Sequence, residues 1–157
     1  MPEMSTCLWF DTEALEAAEL YVSVFPSSEI VEVMRWGDNN PELAGQPLSV
    51  TFRLDGREFL ALNGGPGRPF TEAVSIMVRC ADQAEVDHYW SRLLEGGGRE
   101  SMCGWLADRY GLSWQVVPTR LLELMHDPDP ARAGRVAAAM MQMVKIDIAE
   151  LERAAAA

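Results

Sequence analysis

CGWLADRYGLSWQVVP, residues 103–118, is the stretch of this chain that carries the most information about its fold. The apolar segment Gly104–Leu106 meets a polar turn that ends at Gly111, and an alternating run then continues to Pro118. Alternation of aromatic and β-branched residues with polar ones, between a glycine and a proline, is typical of a hairpin that closes on a strand with two unlike faces. One face would carry Leu112, Trp114 and Val116, and the other Ser113, Gln115 and Val117. A glutamine in mid-strand predicts that its face lies at the surface or lines a cavity.

Composition and charge limit the classes of protein to consider. With 157 residues, 48% of them hydrophobic and 24% charged, the chain is long enough for one domain with a real core, or for two small modules. The net charge of −11 and the lack of any basic run argue against nucleic acid and anionic membranes as partners. No window is apolar enough for a spanning helix, and no signal-peptide pattern opens the chain. Three cysteines without paired spacing predict reduced thiols in the cytoplasm.

Two parts of the chain repeat the same pattern. Residues 5–11 and 75–82 each read as a strand that runs into a helix headed by aspartate. In the first copy, Asp11 or Thr12 is the expected helix cap; in the second, Asp82 is followed by Glu85, as in a capping box. Each helix precedes three further strands, and the Asp55-Gly56 pair predicts a type I′ hairpin between two of them. The repeat therefore predicts two βαβββ modules and an α+β fold.

Glycine and proline divide the chain further. The Gly64-Gly65-Pro66-Gly67 stretch is the expected seam between modules at about residues 4–66 and 70–118, which together form one domain over residues 1–118. After Pro118 the composition becomes helical. Asp129-Pro130 and Asp147 read as helix starts. We expect residues 119–157 to be a C-terminal helical appendage that packs on the repeat or on a second subunit.

Three segments resemble a known family. They are Leu20-Tyr21, the Ala61–Pro66 stretch ALNGGP, and the Cys103–Pro118 stretch quoted above; the methionine-rich residues 139–148 add to the likeness. Together they are similar to the PhnB-like branch of the vicinal oxygen chelate superfamily, which includes glyoxalase I, extradiol dioxygenases and bleomycin-resistance proteins. The resemblance implies that the paired modules form a curled, open half-barrel sheet with extra C-terminal helices. The branch is often labelled a demethylubiquinone methyltransferase domain, but no strand here runs into the Gly-rich turn of a nucleotide site.

The resemblance also implies where a metal would bind. Metal-binding members of the superfamily take two ligands from each module, from its first and last strands, and usually as histidine and glutamate. Those strand positions correspond here to Ser5, Asn63, Ser75 and Gln115. These are neutral oxygen ligands, which suit transition metals poorly. We therefore expect no cofactor, and no glyoxalase or dioxygenase chemistry.

Other chemically notable residues have simpler interpretations. His88 lies on the polar side of its helix, and His126 beside Asp127 and Asp129 reads as a helix end followed by an acidic cap rather than as a metal cluster. Cys103 could pair with Cys7 or act as a nucleophile, but a buried free thiol is the simpler interpretation. Asp108 is expected to order the turn before Gly111 rather than to act in catalysis.

Aromatic and polar residues on the predicted concave face favour a small-molecule pocket. The candidate ligand-binding residues are Cys7, Trp9, Asn63, Ser75, Met77, Trp105 and Gln115. The first hypothesis is a metal-independent protein that binds a small planar or amphipathic molecule. The alternatives are a lyase- or isomerase-type enzyme with a weakly held Mg²⁺ or Mn²⁺ on oxygen ligands, and a structural or regulatory dimer without a ligand. A homodimer is expected under each of them.

Overall fold

The computed structural model describes all residues, 1–157, and divides into two compact units, residues 1–69 and 70–157. Each unit contains one open four-stranded sheet and the element order βαβββ, and the second unit adds three helices. The predicted α+β fold built from paired βαβββ modules is confirmed. None of the helices combines the length and apolar character that crossing a bilayer requires.

The sheet of the first unit has the strand order β1-β4-β3-β2, in which β1 runs parallel to β4 and the other pairs are antiparallel. Its hairpin between β3 and β4 turns at Asp55 and Gly56, whose φ angles of 47° and 78° are both positive, as the type I′ prediction requires. The elements are β1 Thr6–Phe10, α1 Ala14–Val24, β2 Glu29–Arg35, β3 Pro47–Leu54 and β4 Arg57–Asn63.

Helix α1 covers one face of this sheet with small residues and one aromatic. Ala17 and Ala18 are fully buried, which lets the helix approach the strands closely. The Tyr21 ring lies 6.1 Å from that of Phe52, which stacks in turn on Phe59 at 5.4 Å. The opposite face, here called the outer face of the first sheet, therefore carries the residues that alternate with this core. They are Cys7, Trp9, Ser49, Thr51, Leu60 and Leu62.

The expected cap of α1 is wrong. The N-cap residue is Glu13, and its side chain makes no capping hydrogen bond. Instead the Oδ1 atom of Asn63, at the end of β4, accepts the N–H of Ala14 at 2.8 Å. A side chain 49 residues away thus satisfies a donor that a local Asp11 or Thr12 would have satisfied.

The sheet of the second unit has the order β5-β8-β7-β6, with β5 parallel to β8. Helix α2 lies on one side of this sheet. Its Trp90 indole N–H donates to Glu100 of β6 at 2.9 Å. In the sheet register, Glu100 pairs with Leu106, and Leu106 pairs with Trp114. The predicted cap is confirmed, since Asp82 Oδ1 accepts the N–H of Glu85 at 2.9 Å. The elements are β5 Ser75–Cys80, α2 Gln83–Leu94, β6 Arg99–Glu100, β7 Trp105–Ala107 and β8 Ser113–Pro118.

The three remaining helices belong to the second unit and have their own core. They are α3 Thr119–Met125, α4 Pro130–Met140 and α5 Ile148–Ala156. The fully buried Val136, Ile146 and Leu151 pack there with Val117 of β8. The segment before α5 also joins the turn ahead of β7, because the N–H groups of Cys103 and Gly104 donate to the carbonyls of Met143 and Val144, each at 2.8 Å.

Candidate functional site

Three strands of the second unit place three candidate residues side by side. In the sheet register, Trp105 of β7 pairs with Gln115 of β8, which pairs with Met77 of β5. Trp105 and Gln115 are half-buried, and Met77 is 43% exposed. This row lies on the side away from α2, here called the outer face of the second sheet, because Trp114 beside it is fully buried on the other side.

A polar pair adjoins this row. The Gln115 side-chain amide donates from Nε2 to the Ser75 hydroxyl at 2.8 Å. The bond fixes the orientation of the amide, and it leaves the Gln115 Oε1 acceptor and the Ser75 hydroxyl hydrogen without a partner in the protein. The outer face of the second sheet therefore combines an indole, a thioether, one fixed acceptor and one hydroxyl donor. Such a combination can bind a small planar molecule with hydrogen-bonding groups at its edge.

The first unit brings Cys7 and Trp9 to its own outer face. The sheet register places Trp9 beside Leu62 and Cys7 beside Leu60, and both leucines are half-buried. Partial burial raises the pKa of the Cys7 thiol above its usual value, so near neutral pH the side chain is a thiol rather than a reactive thiolate. The Cys7 side chain on this face therefore offers van der Waals contact to a ligand rather than a nucleophile.

The loop after β4 holds Trp9 in place. The indole N–H donates to the Gly65 carbonyl at 2.9 Å. A Cβ atom at Gly64 would lie 2.2 Å from the indole ring, so only glycine permits this approach. The Arg68 guanidinium lies over the ring, with its Cζ atom 5.1 Å from the centroid. From the sequence, residues 64–67 are only a predicted seam between modules. The contact of Arg68 with Trp9 is not predicted, since no local pattern connects an arginine after a Gly-Pro loop to a tryptophan 59 positions earlier.

Asn63 is engaged in holding its own unit together. Besides capping Ala14, it donates from Nδ2 to the Pro47 carbonyl at 3.0 Å. Both ends of the amide thus bind backbone groups, in a half-buried side chain. A ligand could therefore bind Asn63 only through the second Nδ2 hydrogen or the second lone pair of Oδ1, or by replacing one of these two hydrogen bonds.

The four positions that the superfamily pattern assigns to a metal do not fit a transition metal here. Ser5 is exposed and precedes β1, the Asn63 amide binds backbone groups, and Ser75 and Gln115 bind each other. All four offer neutral oxygen or amide groups, whereas zinc, nickel and iron prefer imidazole, thiolate or carboxylate. In the whole chain, no three His, Cys, Asp or Glu side chains lie close enough together to hold an ion.

The two histidines and the acidic residues beside His126 are in positions typical of surface and loop residues. His88 is exposed beside the Tyr89 ring. His126 contacts the Leu122 carbonyl through Nδ1 at 2.7 Å. The Asp127 carboxylate accepts the N–H of Asp129 and pairs with Arg132, and these contacts lower the pKa of Asp127. This is the geometry of a loop that leads into a capped helix.

Asp108 orders the turn between β7 and β8, as predicted. The carboxylate is 2% exposed, and its Oδ1 atom accepts the backbone N–H groups of Tyr110 at 2.8 Å and Leu112 at 3.1 Å. Cys103, which precedes β7, is a half-buried free thiol with a φ of 60°.

A cleft of about 500 Å³ opens elsewhere in the second unit. It lies where β5 leads into α2, near the N-termini of α3 and α5, and none of the predicted ligand-binding residues lines it. Its polar groups are already paired, because Asp82 and Asp147 cap α2 and α5, and Arg120 binds Glu152 and Glu123. The lining residues are Ala81, Asp82, Gln83, Arg120, Asp147, Ile148 and Ala149.

Comparison with protein families gives one match. A family model described as 3-demethylubiquinone-9 3-methyltransferase matches residues 2–117. The match therefore spans the first seven strands, all of β8 except its last residue and both repeated helices, and it stops before the tail helices. No match was found among the curated proteins.

Solved structures give several matches. A PhnB protein from Bacillus cereus is 33% identical, with a TM-score of 0.68, and the match covers 75% of this chain and 100% of that one. A protein from Pseudomonas aeruginosa is 20% identical, with a TM-score of 0.61, over 75% of this chain and 98% of that one. The fosfomycin resistance protein FosX from Mesorhizobium loti is 12% identical, with a TM-score of 0.50, over 74% of this chain and 90% of that one. The last two show likeness of fold alone.

Proposed function

Because this chain belongs to the 3-demethylubiquinone-9 3-methyltransferase-like, or PhnB, family of the vicinal oxygen chelate superfamily, we propose that it is a metal-independent small-molecule binding protein. The ligand lies on the outer face of the second sheet. One observation carries the proposal: the row Trp105, Gln115 and Met77 adjoins Ser75, whose hydroxyl fixes the Gln115 amide at 2.8 Å.

The chemistry of this row favours an uncharged, planar ligand. An indole and a thioether provide polarizable contact area, and the fixed amide oxygen accepts a hydrogen bond from the edge of the ligand. The outer face carries no carboxylate, imidazole or amine at these positions that could transfer a proton at neutral pH. A nucleotide-type methyl donor would need a glycine-rich turn between a strand and a helix. The connection between β5 and α2 contains Ala81 and Asp82 instead, so it gives no support for methyl transfer.

Binding of benzamide, an uncharged planar amide, tests the proposal. In ¹H–¹⁵N spectra of the full chain, benzamide should shift the Gln115 side-chain amide and the Trp105 indole N–H, without any added metal. Gln115→Ala should weaken this binding by about tenfold, because it removes one hydrogen bond worth about 1.4 kcal/mol. Gln142→Ala, at an exposed glutamine of the same unit, is the matched control and should bind like the wild type.

The alternatives give different results in the same titration. If the two signals shift only after Mg²⁺ or Mn²⁺ is added, the enzyme with oxygen-bound metal is correct and the metal-independent proposal is wrong. If neither signal shifts with or without metal, the outer face binds no planar amide, and the ligand-free dimer becomes the better description. Shifts that persist unchanged in Gln115→Ala would place the binding elsewhere and contradict the proposal as well.

We also infer a homodimer in the cytoplasm. Exposed apolar side chains support self-association, among them Met34 at 51%, Val74 at 64% and Met141 at 61%. Three free cysteines support a reducing compartment. Sedimentation equilibrium over a range of concentrations tests the dimer, and a single species at 17.4 kDa throughout would contradict it.

A further inference from the structure

The contact between Arg68 and Trp9 places a cation on an aromatic ring at the surface of the first unit. The guanidinium carbon lies 5.1 Å from the indole centroid, and Arg68 is exposed while Trp9 is half-buried. A cation–π contact draws the guanidinium to the ring while its N–H groups remain available to other acceptors. Arg68 thus lies at the ring and is exposed to solvent.

The loop before Arg68 holds the Trp9 ring in place. Gly65 and Gly67 have φ angles of 96° and 87°, which only glycine adopts without strain, and the chain bends at residues 66–67 after β4. The Gly65 carbonyl accepts the Trp9 indole N–H at 2.9 Å, so the ring is fixed from the same loop that carries Arg68. Ring and cation therefore form one preorganised pair.

The Arg68 guanidinium has no acceptor within the protein, a feature that it shares with Arg57 but not with Arg53 or Arg35. Arg53 pairs with Glu29 at 3.3 Å and with Glu58 at 3.5 Å, and Arg35 donates to the Gly45 carbonyl at 3.0 Å. Arg68 forms no ion pair and donates no hydrogen bond within the protein. The contact with the Trp9 ring distinguishes Arg68 from Arg57. Its chemistry complements an external anion, because a guanidinium fork matches the two oxygens of a carboxylate or phosphoryl group.

We propose that Arg68 and Trp9 form a binding site for the oxyanion of a small organic molecule, either a carboxylate or a phosphoryl group attached to an apolar body. The guanidinium binds the oxyanion from its free edge. The apolar body lies along Trp9 and its register neighbour Leu62 on the outer face of the first sheet. This site goes beyond the proposed function, which concerns the second unit, and either can fail without the other.

Three probes that share a phenyl ring test the site at constant ionic strength: phenylphosphonate, benzoate and benzyl alcohol. Binding is followed in ¹H–¹⁵N spectra through the Arg68 Nε–H and the Trp9 indole N–H. Phenylphosphonate, benzoate or both should shift the two signals, and the stronger of the two identifies the preferred oxyanion. Benzyl alcohol, which has the ring without the charge, should shift neither.

Variants locate the site. Arg68→Gln should weaken binding of the anionic probe by about tenfold or more, since it removes a charge-assisted pair. Arg68→Lys should give an intermediate loss, because the charge stays while the planar fork is lost. Arg57→Gln is the matched control, an exposed arginine at the hairpin of the same unit, and it should leave binding unchanged. The melting temperature of each variant shows that it is folded.

The result that would overturn the proposal is equally specific. Equal losses in Arg68→Gln and Arg57→Gln would mean attraction by surface charge in general. Absence of any shift at Arg68 and Trp9 with both anions would mean that the guanidinium only covers the ring. A benzyl alcohol response as large as that of the anions would remove the role of the oxyanion.

Discussion

The indole N–H of Trp114 donates to the Oδ2 atom of Asp108 at 2.9 Å, and both side chains are buried, at 0% and 2% exposure. The second carboxylate oxygen accepts two backbone N–H groups of the turn that follows. One aspartate thus joins the turn between β7 and β8 to the largest side chain of the core. A buried carboxylate is stable only where such donors replace water.

Replacing this aspartate should be costly. Asp108→Ala leaves the Trp114 indole and the backbone N–H groups of Tyr110 and Leu112 without an acceptor, and we expect the free energy of unfolding to fall by about 3 kcal/mol. Asp108→Asn keeps one acceptor oxygen and should cost less. Urea unfolding followed by near-ultraviolet circular dichroism measures both. A loss below about 0.5 kcal/mol in Asp108→Ala would show that the network contributes nothing.

Gly64→Ala should displace Trp9. The new Cβ atom would lie 2.2 Å from the ring, so the indole must move and its bond to the Gly65 carbonyl must lengthen or break. We expect a loss of about 2 kcal/mol, in the range for overpacking, and a shifted Trp9 indole signal in ¹H–¹⁵N spectra. An unmoved signal would contradict the close approach.

Gly134→Ala provides the matched control, with the opposite expected sign. Gly134 lies inside α4, where an added Cβ meets nothing within 4 Å. Alanine should therefore raise the free energy of unfolding by about 0.5–1 kcal/mol through its higher helix propensity. Thermal melting of the two glycine variants side by side separates the steric effect from the effect of adding a methyl group.

Cys80 should make the protein sensitive to alkali. Burial, with smaller contributions from Glu85 and Asp82, raises the pKa of Cys80 from 9.0 to about 12. Because the folded pKa exceeds the unfolded one, the thiol's contribution to stability is complete below the unfolded pKa and is lost as the pH rises toward the folded value. Urea unfolding between pH 8 and pH 11 should show a steeper loss in the wild type than in Cys80→Ala. Equal slopes would contradict the raised pKa.

Gln83 should hold the segment that precedes α5. Its amide donates to the Ile146 carbonyl at 3.1 Å and accepts the N–H of Ile148 at 2.9 Å. Gln83→Ala removes both bonds, and we expect a cost of about 1–2 kcal/mol. Hydrogen exchange at Ile148 should become faster while exchange in the core strand β8 changes less. Uniform acceleration throughout the unit would instead indicate a global loss of stability.

The sequence predicted features that depend on neighbouring residues. Asp82, Asp129 and Asp147 each cap the helix that follows, because donor and acceptor lie within three positions. The alternation of residues 112–117 put Gln115 and Trp114 on opposite faces of their strand, and the sheet register places Gln115 beside Trp105. The paired βαβββ order followed from the repeat.

Features that depend on distant residues were not predictable in this way. The cap of α1 comes from Asn63, and the cation over Trp9 comes from Arg68, so each contact needs the folded sheet before its two partners meet. The same limit applies to the candidate site, where alternation indicates which way Gln115 points but not that its amide binds the Ser75 hydroxyl across the parallel strand pair.

The pairing of Cys103 and Gly104 with Met143 and Val144 also has a consequence for synthesis on the ribosome. The first unit has all of its strands once residue 63 has emerged, so it can fold while translation continues. In the second unit, β8 ends at residue 118. The turn ahead of β7 can make its backbone hydrogen bonds, and Ile146 can cover Gly104, only after residues 143–156 have been made. The nascent chain therefore passes through a stage with one finished module and one that still exposes apolar surface, which is the stage at which a chaperone would bind it.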